Sequence, residues 1–344
     1  MATNKKIHIT ALSVFSCFGV ICMHSSGFWD FSKTPSWVAS NMIETFFFFA
    51  VPAFLMISGA TLIDYRKRYT TAEFFKKRIL KTVIPFLFWS IFALFFNLIL
   101  WGGGDSVSFN PLDIINSVIN NRYISIYYFF IILFSVYLSI PVFSLIPEEM
   151  RRKGFLYIIV TAFTVNSLLP FALSLTHGKI NHNGNFSLYA CAGYMILPII
   201  GYYLENYELS KKAKAAIFTF GFISFAVHFF GTWILSWKAG AIDQTFKGYV
   251  SVFCILHSSA IFLLFKLFPF ERLPKLIVSA IEFFSGQTFG IYLIHMYISW
   301  TVNYMFEFHL NPIESLFYSL ALFIVSGLIV KLLQKIPLVK YIVP

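Results

Sequence analysis

Charged residues are so widely spaced along this chain that long apolar stretches run between them. Ten stretches approach the length of a membrane crossing: 9–26, 43–63, 83–101, 123–146, 155–176, 186–204, 215–236, 249–268, 288–305 and 313–333. A bilayer core needs about 20 mostly apolar residues per helix. The pattern therefore predicts an all-α, polytopic membrane bundle of about ten transmembrane helices. Prolines at 85, 141, 170 and 198 fall in or near these runs, where a membrane helix kinks more often than it ends. The connections are short, so a single integral-membrane domain is expected over 1–344. Lys5 and Lys6 precede the first run as in a secretory leader. No small-residue cleavage motif follows, and the run reads as an uncleaved first span.

Composition sharpens this picture. Hydrophobic residues make up 58% of the chain and charged residues 12%, against about 25% charged in soluble domains. Mean hydropathy is +0.75, which excludes a water-soluble core. The net charge of +11 raises the question of nucleic acid, and its distribution answers it. With both termini on one side, the loops and ends of that side carry 21 of the 26 Lys and Arg residues, and the opposite side carries 5. Cytoplasmic loops are the cation-rich ones, so both termini are expected in the cytoplasm and no nucleic-acid partner is required. The four cysteines, Cys17, Cys22, Cys191 and Cys254, lie inside apolar runs without ligand spacing. They read as packing residues rather than as a disulfide or metal set, and no metal site is expected.

The ionisable residues within the runs carry the candidate chemistry. In that topology His24 sits at the outer end of helix 1 and Glu44 opens helix 2, with a short loop between them. A carboxylate beside an imidazole fixes its tautomer and raises its basicity; the alternative is that both are interfacial and solvated. His228, His257 and His295 fall inside predicted helices, where a neutral histidine serves either as hydrogen-bonded glue or as chemistry. After helix 2, Thr70-Thr71-Ala72-Glu73 has capping-box spacing. Phe74, Phe75, Ile79 and Leu80 follow at helical intervals, predicting a short amphipathic helix in the interface. Its cations Lys77, Arg78 and Lys81 suit anchoring to anionic lipid or a cradle for phosphate oxygens. Ser58-Gly59 near the inner end of helix 2, and Gly286 and Gly290 four apart before His295, permit close helix approach.

Together these pieces resemble the acyltransferase-3 family of membrane proteins. "VPAFLMISGATLI" and "FFKKRILKTVIPFLFWS" are similar to its second and third helices, and "YISIYYFFIILFSVYLSIPVF" to its fourth. "YACAGYMILPIIGYYL" and "SGQTFGIYLIHM" resemble two later helices. The likeness spans nearly the whole chain. It implies transfer of an acyl group, acetyl from acetyl-CoA, onto a hydroxyl of a cell-surface polysaccharide or its lipid-linked precursor, in a bacterial cytoplasmic membrane. Acyl-CoA is then a co-substrate, with no bound cofactor. By this resemblance His24 acts in acyl transfer, while Arg78 and Lys81, with Lys77 beside them, handle the CoA donor. His295 and Ser58 are further candidates. The chain departs from the family at Ser13 and Thr10, where an arginine eleven residues before the histidine and an acid three residues earlier are usual. Either Lys5 and Lys6 substitute, or donor handling differs, or activity is lost. A transporter or flippase for a glycan or lipid intermediate, or a non-catalytic member in glycan assembly, is the competing reading.

Overall fold

The computed structural model describes residues 6–101, 109–176, 178–307 and 310–344. Among these the regular structure is entirely helical. The first half contains α1 (Ile7–Ser25), α2 (Pro35–Phe47), α3 (Ala50–Leu62), α4 (Thr71–Arg78), α5 (Ile84–Trp101), α6 (Pro111–Ile119), α7 (Tyr128–Phe143) and α8 (Glu148–Ala162). The second contains α9 (Leu169–Ser174), α10 (Ile196–Asn206), α11 (Lys211–Ala239), α12 (Val252–Leu267), α13 (Lys275–Ser285), α14 (Thr288–Phe306) and α15 (Pro312–Leu333).

Local chemistry sets many of the starts. The Thr34 hydroxyl accepts from Trp37 N, with Pro35 in the first turn of α2. The Thr70–Glu73 capping box expected from sequence opens α4. Ser210 and Ser251 cap α11 and α12, and Asn311 with Glu314 forms a second capping box on α15. Each side-chain oxygen satisfies a backbone N–H that would otherwise lack a partner.

Among the described residues seven helical stretches are long and apolar enough to cross a bilayer, and an eighth is reached if α13 and α14, bent by 75°, count as one. The chain is a multi-pass membrane protein. Its outside agrees: Ile99, Phe222, Phe230 and Leu328 all expose large apolar side chains, which lipid solvates and water does not. Two of the ten expected runs fall short. The run 249–268 yields α12, 16 residues long. The run 186–204 yields only α10, 11 residues, or about 16 Å of helix. Before it lie two short 3-10 turns, at Tyr189–Cys191 and Gly193–Met195. An apolar count cannot tell a lipid-facing span from a short helix buried in protein.

A second correction concerns the amphipathic interface helix. The helix does not stop after Arg78. A wide turn over Ile79–Val83, with Ile84 N–H donating to Ile79 O, joins α4 to α5, and Thr71–Leu100 forms one candidate span. Pro85 explains the wide turn: its ring would clash with the carbonyl four residues back in a regular helix.

α1 stands at the centre, packed on α2, α3, α12, α13, α14 and α15. α10 is buried on nearly every face and crosses α3 at two glycines. A Cβ on Gly59 would lie 1.8 Å from Pro198 O, and one on Gly201 would lie 2.1 Å from Met56 O. Backbone thus meets backbone, and any side chain forces the helices apart. Gly154 on α8 has no atom within 4 Å of its would-be Cβ. Gly59→Ala is expected to lower stability by about 1–3 kcal/mol, the usual cost of overpacking, while Gly154→Ala leaves it unchanged or raised. Thermal unfolding of the purified protein in detergent measures both.

Candidate functional site

His24 lies in the last turn of α1, where the chain turns towards α2. It is exposed, and it lines two adjoining chambers that share Met23, His24 and Trp29. The first, about 470 Å³, is walled by serines of the α1–α2 segment and by Ser299, Asn303 and Tyr318. The second, about 590 Å³, is walled by Glu44, Lys247, Tyr128, Tyr194 and Tyr249.

His24 is held by α14. The two helices run side by side: Cys17 Sγ meets Thr288 O at 3.4 Å, and seven residues further along each helix His24 Nδ1 lies 3.0 Å from His295 Nε2. The imidazole planes differ by only 4°, with centroids 5.2 Å apart, so the rings meet edge to edge in nearly one plane. His295 is fully buried. Its Nδ1 faces two carbonyl oxygens, Ile291 O at 3.0 Å and Tyr292 O at 2.9 Å. Carbonyl oxygens only accept, so His295 Nδ1 carries the hydrogen. In the neutral ring Nε2 is then an acceptor, and His24 Nδ1 must donate to it. His24 Nε2 is left with its lone pair, the form needed to take a proton. The stretch of α14 around His295 is itself anchored to the start of α7, where the Tyr127 hydroxyl donates to Leu293 O at 2.7 Å and the Tyr292 hydroxyl donates to Ile126 O.

Glu44 lines the second chamber with His24, as its place in the sequence suggested. The orienting partner of His24 is nevertheless His295, because Glu44 is engaged elsewhere. Its Oε1 accepts from Lys247 Nζ at 3.3 Å, with side-chain exposures of 5% and 3%. Lys247 also sits over the Phe28 and Phe48 rings, at 4.0 and 4.6 Å. Burial pushes its ammonium below its ordinary pKa, and the Glu44 carboxylate opposes that shift. Glu44 Oε2 is buried without a hydrogen-bond partner among the described residues. Sequence reasoning passed over Lys247. Its signal was a cation on the cation-poor side, flanked by aromatics in "TFKGY".

His228 and His257, the two remaining histidine candidates within helices, lie against aromatic rings. His228 meets the Phe48 ring edge-on and His257 meets Phe49 in the same way. The Ser58 hydroxyl donates to Phe54 O at 2.9 Å, one turn back on its own helix.

The remaining predicted residues gather towards the other end of α1. Lys77 Nζ sits 3.8 Å over the Tyr69 ring, and the Arg78 guanidinium lies over Phe74 and Tyr137. Lys81 is exposed. Among the described residues no carboxylate comes within ion-pair distance of these three, and Arg78 Nε is buried without a partner. Ser13 and Thr10 line a separate cavity of about 550 Å³ with Lys6, Arg68 and Glu205. Lys6 Nζ donates to Glu205 Oε1 at 2.6 Å, while His8 holds the second oxygen at 2.9 Å. Lys5 lies outside the described residues.

Comparison with known proteins returned one family model, described as Acyltransferase domain (acyltransferase-3), which matches residues 8–331. No curated protein and no solved structure matched the chain.

Breaking a buried ion pair strands one charge, at a cost of about 3–5 kcal/mol, whereas replacing both partners by apolar residues is often neutral. Lys247→Met is therefore expected to destabilise the protein by that amount, and Glu44→Met/Lys247→Met to restore most of the loss. Thermal melts of the two variants in detergent distinguish the outcomes.

Proposed function

The chain belongs to the acyltransferase-3 family, and from that premise, which supports a membrane acyltransferase in general, we propose an O-acyltransferase. It moves an acetyl group from acetyl-CoA to a hydroxyl of a cell-surface polysaccharide or its lipid-linked precursor. The observation that carries this reading is the imidazole pair: His24 presents an unprotonated Nε2 at the junction of two chambers, with its other nitrogen committed to His295.

A sugar hydroxyl is a poor nucleophile while it keeps its proton. In this reading the hydroxyl of the acceptor lies against His24 Nε2 and attacks the thioester carbonyl. The O–H proton passes to Nε2, the new C–O bond forms, and the C–S bond breaks. The CoA thiolate leaves and takes the proton back. General-base assistance of this kind contributes about 10²–10⁴-fold. The imidazolium formed at His24 keeps its Nδ1–H bond to the His295 lone pair, so the charged ring is stabilised without rotating. Two backbone carbonyls hold His295 in place from behind.

The donor in this reading approaches from the opposite end. Lys77, Arg78 and Lys81 lack carboxylate partners among the described residues, which leaves their charge available to phosphate oxygens. Arg78, half-buried on aromatic faces, offers a directional fork and the lysines offer point charge. The placement of cations in the sequence supports a cytoplasmic location for this end and for both termini. Counting α10 and α12 as short crossings alongside the eight longer ones makes ten, an even number that returns the chain to its starting side. The membrane in this reading is the bacterial cytoplasmic membrane.

His24→Ala is expected to abolish transfer of label from radioactive acetyl-CoA to membrane glycan, a loss of about 10²–10⁴-fold, at unchanged protein level. His295→Ala lowers the turnover number while leaving the KM for acetyl-CoA in place, because it frees the tautomer and not the donor. Arg78→Ala raises the KM for acetyl-CoA. Full labelling by His24→Ala removes the imidazole from the mechanism, and an absence of acyl-CoA-dependent labelling in the wild type returns the chain to the transporter reading.

A further inference from the structure

The two chambers at His24 differ in chemistry, and the second contains a feature that packing does not explain. Glu44 is 96% buried by its residue exposure of 4%, and only one of its oxygens is used. Oε1 accepts from Lys247, while Oε2 has no partner among the described residues. Buried acceptors are almost always satisfied, and Glu44 borders the cavity directly. An idle, buried carboxylate oxygen at a cavity wall matches a donor supplied by a ligand.

The surroundings specify the ligand. Lys247 is clamped between Glu44 and two aromatic rings, so its charge is spent, and the pair as a whole is neutral. The unpartnered oxygen of this cavity-lining residue offers a lone pair, which attracts O–H donors and repels anions. Trp29, Tyr128, Tyr194 and Tyr249 add broad rings to the same chamber. Tyr249 in turn stacks on Phe48 at 4.5 Å. Rings of this kind take the C–H face of a pyranose, while a carboxylate oxygen takes its hydroxyls.

We propose that this chamber is the acceptor subsite, that it takes an uncharged sugar ring, and that Glu44 Oε2 accepts a hydrogen bond from a ring hydroxyl next to the one presented to His24. The inference rests on the acyl-transfer reading, and it names the substrate class within it: neutral hexose units, with uronic acids rejected. Glu44 is here a specificity residue and Lys247 its positioning partner.

The test measures binding without acyl-CoA, so its outcome is separate from that of the transfer assay. The full-length protein in nanodiscs is titrated with radiolabelled methyl glucopyranoside and with methyl glucopyranosiduronate, which differ only in the carboxylate at C6. The wild type is expected to bind the neutral glycoside at least tenfold more tightly. Glu44→Gln retains an acceptor and gains an amide donor beside an unpaired Lys247, so the preference falls to parity or reverses. Glu44→Met/Lys247→Met removes the acceptor and the charges together, keeps the fold by avoiding a stranded ion, and weakens binding of the neutral glycoside tenfold or more. Equal binding of both glycosides by the wild type overturns the proposal, as does no binding of either, or a double variant that binds as the wild type does. If glycoside binding fails while His24-dependent labelling persists, only this subsite falls. If the glycoside binds but no acyl-CoA-dependent labelling occurs, the transferase reading falls instead.

Discussion

The backbone contact between α3 and α10 is the constraint on which the rest of this bundle depends. At Gly59 and Gly201 there is no space for a single methyl group, so the two helices are locked at van der Waals distance of their main chains. α10 then connects three regions. At its start, Tyr194 borders the chamber at His24. At its end, Glu205 grips Lys6 and His8 at the beginning of α1. Through α3 it is continuous with α2, which carries Glu44. A helix of 11 residues thus relates both ends of α1 to one fixed crossing. In lipid no hydrophobic drive holds helices together, and small residues that let backbones meet take over that role.

On that frame the imidazole pair gains its direction. A histidine alone has two tautomers and rotates freely, and either defect halves its use as a base. Here the direction is set from behind, by two carbonyl oxygens that only accept, and it is transmitted through His295 to His24. In the proposed mechanism a neutral second imidazole takes the place that a carboxylate has in the familiar triads. The difference matters at membrane depth, since a carboxylate behind His24 would bring a charge into the bundle where burial is costly. Glu44, which lines the second chamber with His24, is paired with Lys247 rather than with the ring.

Much of this was legible in the sequence, and the failures share a cause. The helical class, most spans, the Thr70–Glu73 cap and the location of His24 at the end of helix 1 follow from length, spacing and caps, which are local properties. The true partner of His24 is 271 positions away, and no local pattern distinguishes a histidine that packs from one that orients another. Glu44 shows the same limit. Its nearness to His24 was readable from a short loop, whereas its pairing with Lys247 crosses 203 positions. α10 is shorter than its apolar run for a different reason. Apolar composition reports only that a segment avoids water, and both lipid and protein interior satisfy that. The turn at Ile79–Val83 was hidden because a proline in an apolar run signals a kink without saying whether a widened turn joins the helix to the one before it.

In the acyl-transfer reading proposed above, Ser13 has a physical consequence for the donor end. A serine there leaves open a cavity of about 550 Å³ that a guanidinium would partly fill. The positive charge bordering that cavity comes instead from Lys6, seven residues or about two turns earlier on the same face of α1, and from Arg68. Lys6 is already bound to Glu205, but Glu205 keeps His8 when Lys6 moves, so an incoming phosphate exchanges one partner for another rather than stranding a charge. The cost is directionality, because an ammonium is a point charge without a fork. From Ser13 to His24 is eleven residues, about 16 Å of helix. In that reading, with the charge moved towards the helix start, a thioester arm held there would have further to reach before its carbonyl meets the imidazole. Delivery then depends on the fixed walls of the bundle to direct the arm, and less on how firmly its phosphates are held.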